Sequence, residues 1–190
     1  METLASRARG VLFEPRATFK AVDSEFTKPG AIWGKYVIPL ALLGPLTGTI
    51  GRLLFGRRLG GQTLGDHITL TGGILWGVTA FVILVLGVFI LTQIISQLAP
   101  GFGGQKNDVQ ALKVAAYTST PALISGVFAI HGLFYIVTIL ISLYSLYLLY
   151  VGLPILMKVP KDRAMGYTAV VIIGAIVIFL LESVRDYMVF

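Results

Sequence analysis

Three long runs without a charged side chain constrain this chain more than any other feature. Residues 68–105, 114–157 and 164–181 contain no Asp, Glu, Lys or Arg. A hydrocarbon core about 30 Å thick needs roughly 20 mostly apolar helical residues to cross it. Charged residues make up 13% of the 190, against about 25% in soluble domains, while 56% are hydrophobic. The composition excludes a soluble enzyme and a disordered tail. With no Cys, it also excludes a disulfide-stapled module and any thiolate metal site.

Breaker residues divide the runs into five spans. The first covers residues 31–55, with Gly44-Pro45 expected to kink it and the hydroxyls of Thr47 and Thr49 expected to satisfy freed carbonyls. A Gly- and Arg-rich loop, Arg52 to His67, should follow. Span two, residues 68–98, stops before Pro100-Gly101 and Gly103-Gly104. The run 114–157 is about twice the length of one crossing, which predicts a helical hairpin turning at His131-Gly132. That gives span three at 114–130 and span four at 133–157, with span five at 164–181. The expected architecture is an all-α polytopic bundle of five transmembrane helices (31–190) behind an amphipathic N-terminal segment (1–30).

Basic residues are retained on the cytoplasmic side. Arg7, Arg9, Arg16, Lys20, Lys28, Lys35, Lys106, Lys113, Lys158, Lys161 and Arg163 fall on the N-terminal side of this topology; Arg52, Arg57, Arg58 and Arg185 fall on the other. The expectation is a multi-pass plasma-membrane protein with a cytoplasmic N-terminus and an external C-terminus. No short apolar segment of signal-peptide type precedes Ala31.

In the N-terminal segment Leu4, Ala8, Val11 and Leu12 recur at helical spacing, as do Phe19, Val22 and Phe26 after Pro15, a favoured first helical residue. Two short helices are expected, with Arg7, Arg9, Arg16 and Lys20 on their polar sides. They would lie on the anionic inner leaflet or pack on the bundle. The net charge of +6 follows the positive-inside pattern with few interleaved aromatics, so nucleic acid is not an expected partner. Asn107 should cap a helix opening at Asp108 and running into span three.

Intramembrane ionisable groups are the default functional candidates, and these spans hold almost none. Asp66, His67 and His131 share one side but match no metal signature, so turn-capping roles are expected for them. No HExxH, GxSxG or phosphate loop is present, and neither an enzyme nor a cofactor is expected. The intramembrane polar groups are hydroxyls and amides: Tyr117, Thr118, Ser119, Thr120 and Ser125 in span three, Ser142, Tyr144, Ser145 and Tyr147 in span four, and Gln93, Ser96 and Gln97 in span two. They are expected to face one another as interhelical glue. Alternatively, breaks at Gly44-Pro45 and Thr120-Pro121 would open a polar cleft between spans one and three. Tyr36-x-x-Pro39 then Gly44 echoes Tyr117-x-x-x-Pro121 then Gly126, too weakly to define a repeat.

Taken in order, several segments resemble the Yip family, named for Ypt/Rab-interacting proteins, and in particular its prokaryotic branch. They are Leu12-Phe13-Glu14-Pro15 with Thr18-Phe19, Gly44-Pro45-Leu46, the run Ala115 to Pro121, Tyr147 to Tyr150, Gly152 to Met157, and Pro160-Lys161 with Ala164 and Gly166-Tyr167. The resemblance implies a five-helix bundle with a cytoplasmic N-terminus. It also implies non-enzymatic adaptor work, which in eukaryotic relatives means binding prenylated Rab GTPases and pairing with related membrane proteins. This chain carries about 30 residues before span one and lacks the acidic-Tyr-Gly-Pro form of the eukaryotic motif, so GTPase binding is not carried over. The leading expectation is a membrane scaffold that self-associates or binds other membrane proteins through spans three and four. The alternative is a permease handling lipid or small solutes.

Overall fold

The computed structural model describes residues 3–56, 58–59, 62–63 and 69–188. Asp66 and His67 lie outside the described residues, as do Arg57 and the side chains of Arg58, Tyr135, Glu182 and Arg185. Apart from a two-residue antiparallel pair, β1 (Arg58–Leu59) with β2 (Gln62–Thr63), the described elements are helical. Three of them are long and apolar enough to cross a membrane: Pro29–Phe55, Leu70–Phe102 and Ile136–Leu156.

The first two helices are α1 (Leu4–Phe13) and α2 (Pro15–Ser24). Ala8, Val11, Phe19 and Val22 are buried against the bundle, which decides between the two expected placements of their apolar faces. Phe26 lies beyond the end of α2 and is 92% exposed, so the helical spacing that seemed to include it does not hold.

Span one is a composite of α3 (Pro29–Ile32), a π turn (Trp33–Val37) and α4 (Ile38–Phe55). The expected helix break at Gly44-Pro45 is absent, because α4 continues through Pro45. The irregularity falls earlier. The Ile38 N–H reaches back five residues to the Trp33 carbonyl, widening the turn ahead of Pro39, which has no N–H to return to the Lys35 carbonyl. Arg52, expected in the following loop, is in the last turn of α4.

Span two is α5 (Leu70–Leu98), whose first turn is capped by the Thr69 hydroxyl accepting the Gly72 N–H at 3.1 Å. A 3-10 turn (Ala99–Phe102) follows and ends at Gly103, where φ is +75°. Asn107 caps α6 (Asp108–Thr118) by accepting the N–H groups of Val109 and Gln110, as its position before Asp108 predicts. Span three is not one helix. It is interrupted at Ser119, resumes as α7 (Thr120–Ser125) with Pro121 in its first turn, and tightens to a 3-10 helix over Gly126–Ile130. His131 is extended and marks the turn before α8 (Tyr135–Leu156). α9 (Lys161–Met188) outruns the predicted 164–181 at both ends.

Every residue of α6 from Ala111 to Thr118 is buried, so this helix is the axis around which α1, α3, α5 and α8 pack. Beside it, α4 meets the 3-10 helix where the two backbones touch. A Cβ built on Gly126 would stand 2.5 Å from the Gly44 Cα, which no side chain can occupy. Gly126→Ala should therefore cost about 1–3 kcal/mol by forcing the helices apart. The check is a lowered thermal midpoint in detergent, with Gly30→Ala, which meets open space, as the unchanged control.

Candidate functional site

The expected cleft between spans one and three is closed. The Tyr36 hydroxyl is 2.7 Å from Thr120 Oγ1 in a buried pair, and the Tyr36 and Tyr117 rings meet edge to face with centroids 5.0 Å apart. One helical stage further along, the Thr47 hydroxyl has its single proton within reach of three carbonyls: Gly126 at 2.6 Å, Leu43 at 2.9 Å and Gly44 at 3.1 Å. The Gly44–Gly126 contact is what leaves no room for a passage here. Tyr36, Gly44, Tyr117 and Gly126, the positions of the weak internal similarity, thus pair with one another.

Spans three and four join through Ser125 and Ser142, whose hydroxyls are 3.1 Å apart, with Ser142 also 2.7 Å from the Thr138 carbonyl. Thr118 turns back to the Val114 carbonyl of its own helix. Ser145 Oγ is buried with no partner. Tyr144 donates to the Leu12 carbonyl at 2.9 Å, and Tyr147 is half exposed beside it. Elsewhere the Tyr167 hydroxyl donates to the Ile95 carbonyl at 2.6 Å, tying α9 to α5.

The open space lies one helix over from the expected cleft. A half-open pocket of about 170 Å³ is lined by α5 (Leu84, Val88, Leu91), the α6–α7 break (Thr118, Ser119, Leu123), α8 (Ser142, Ser145, Leu149) and α9 (Ala175, Ile178). Its walls are almost wholly apolar. Ser142 and Ser145 therefore line this pocket, so their substitution reads pocket filling rather than assembly. His131 accepts the Leu133 N–H on Nδ1 at 3.1 Å and stacks edge-on to Phe55, which is a turn-capping arrangement. Among the described residues no group of three His, Cys, Asp or Glu side chains could hold a metal ion.

Two cations that sequence reasoning counted as loop charges are buried. Lys113, 2% exposed on α6, sends its ammonium to the Val22 and Glu25 carbonyls, both at 2.6 Å. These are end-of-helix carbonyls of α2, where a positive charge also complements the helix dipole. Desolvation holds the Lys113 pKa below the ordinary lysine value, Glu25 and Asp23 pull it back up, and Arg7 adds slightly to the lowering. Around it, Gln110 donates to the Asp23 carbonyl at 2.9 Å, Arg7 pairs with Glu25 at 2.6 Å, and Lys158 pairs with the Asp23 carboxylate. Lys158 has φ 53°, a left-handed conformation uncommon for a side-chain-bearing residue, and the ion pair faces this turn. Arg9, Arg16 and Lys20 stay exposed. On the far side of the bundle Arg52 is 7% exposed, with its guanidinium 3.5 Å over the Trp76 ring. The signal for Lys113 was present in the sequence: residues 111–118 offer no polar face on which a lysine could be solvated.

Together these features define an all-helical membrane protein whose intramembrane hydroxyls are mostly spent within and between its own helices. The chain belongs to the Yip1 domain family, whose match covers residues 9–182. It is similar to the inner membrane protein YohC of Escherichia coli (strain K12), with 22% identity over 180 residues, 93% of this chain and 92% of that one. YohC of Escherichia coli O6:H1 matches to the same extent. No solved structure matches.

Removing the buried ammonium leaves two carbonyls without their donor, a loss of about 1–3 kcal/mol. Lys113→Met should expose the α1–α2 hairpin to trypsin, with cleavage after Arg16 and Lys20 accelerated about fivefold or more at that cost. Lys106→Met, which removes only an exposed contact to Gln97, should leave the cleavage rate unchanged.

Proposed function

We propose that this chain is a non-enzymatic scaffold of the inner membrane, crossing it five times with its N-terminus in the cytoplasm, that holds a second copy of itself or another membrane protein. The observation that carries this reading is the internal pairing of the intramembrane polar groups. With Tyr36, Thr120, Thr47, Ser125, Ser142 and Tyr167 engaged inside the bundle, its outer faces are apolar stripes. They include Ile74, Val78 and Phe89 on α5 and Leu140 and Leu143 on α8. Such faces suit lateral association in the bilayer, where packing supplies the attraction. The five-span count rests on the charge-free run 164–181 within α9 and on the α6–α7 segment with its 3-10 extension. The orientation rests on the distribution of Lys and Arg, and the membrane assigned agrees with the description of YohC as an inner membrane protein.

Native mass spectrometry of protein released gently from its own membrane tests the proposal. A stable homo- or hetero-oligomer is expected; a monomer that keeps no protein partner counts against it.

The cavity favours a second reading, in which the bundle handles a lipid or a small apolar solute between α5, α7, α8 and α9. Ser142→Leu combined with Ser145→Leu should then fill the space and lower the lipid retained per chain. Unchanged retention would sink that reading.

A further inference from the structure

We infer that the α1–α2 hairpin is embedded in one leaflet of the bilayer, where its outer face binds anionic phospholipid, rather than standing in the aqueous phase as an N-terminal appendage. The first ground is depth. Ile136–Leu156 of α8 is long and apolar enough to cross the membrane, and the hairpin packs against this stretch. The Phe19 ring lies against Gly152, where an added Cβ would meet it at 2.9 Å, and Tyr144 holds the Leu12 carbonyl. At ~1.5 Å per residue, Tyr144 is about 18 Å along the helix from Leu156. A segment docked over that length occupies the same leaflet as that half of α8.

The second ground is the outer face. Phe13, at the tip, is 77% exposed and borders the depth set by Tyr144. Arg9, Arg16 and Lys20 are exposed and make no ion pair among the described residues. The hairpin's acidic groups are largely answered by basic side chains, Asp23 by Lys158 and Glu25 by Arg7, which among the described residues leaves Glu14 alone against the three cations. An aromatic tip with long basic side chains around it matches the acyl–headgroup boundary: the ring enters the chains while Arg and Lys reach back to phosphates. The inference does not rest on the scaffold reading and needs only that α8 spans the membrane.

The chain has no Cys, so Phe13→Cys carries a nitroxide without background labelling. The full protein would be placed in vesicles of equal phosphatidylglycerol and phosphatidylethanolamine, with Lys106→Cys as the aqueous reference. Collision with dissolved oxygen should exceed collision with a water-soluble nickel chelate at position 13 and fall below it at position 106. Nickel access at 13 equal to that at 106 would overturn the inference, and so would shielding from both reagents, which would mean that protein covers the tip. Separately, phosphatidylglycerol enrichment in copurified lipid should fall several-fold in the combined Arg9→Gln, Arg16→Gln and Lys20→Gln variant. These side chains are exposed, so the fold tolerates the change. Unaltered enrichment would overturn the anionic-lipid assignment even with the tip embedded.

Discussion

The backbone contact between Gly44 and Gly126 is the constraint on which the rest of the bundle depends. Helices normally stand 8–10 Å apart, held off by their side chains. Here two glycines let α4 and the 3-10 segment close until backbone meets backbone. That approach brings Thr47 onto the Gly126 carbonyl, and it accompanies the buried pairing of Tyr36 with Thr120 deeper along the same seam. The contact also accounts for the displacement of the internal space toward α8 and α9. Two helices in backbone contact leave no gap to line with polar groups.

A second device works through charge. Burying an ammonium is costly unless donors and acceptors are matched, and Lys113 meets that condition with two carbonyls at the end of α2. The result is a bond between segments almost ninety residues apart in sequence. It converts an amphipathic N-terminal segment into part of the bundle wall, with Phe19 and Val22 sealed beneath. The neighbouring pairs Asp23–Lys158 and Arg7–Glu25 are partly exposed and contribute less individually, as solvent-screened pairs do.

Local signals were the readable ones. Apolar run length located the composite first span (Pro29–Phe55), α5 and α8 to within a few residues; Asn107 announced the start of α6, and Thr120-Pro121 the interruption of the third segment. What failed depends on neighbours. Gly44-Pro45 offered a helix break, but α4 runs on through Pro45, and the π turn lies ahead of Pro39 instead. Lys113 and Arg52 were assigned to loops by charge alone, although one meets carbonyls and the other an indole ring. Ser142 and Ser145 were legible as intramembrane hydroxyls, but nothing in their spacing said that they line a cavity beside α9. The echo between Tyr36…Gly44 and Tyr117…Gly126 was visible without its meaning, which is that the two stretches are each other's contact surface.

The helices are also unequal in length, 29 residues in α5 against 22 in α8. At ~1.5 Å per residue they differ by about 10 Å, more than the thickness differences that sort proteins among membranes. A single flat bilayer cannot match both upright. α5 tilts, the lipid beside it thickens at a cost of fractions of a kcal/mol for each ångström of mismatch, or its last turns, where Ser96 meets Asp108 and Gln97 meets Lys106, stand beyond the hydrocarbon. To the extent that α5 stays within the hydrocarbon, bilayer thickness becomes a variable to which the packing of the bundle is mechanically coupled.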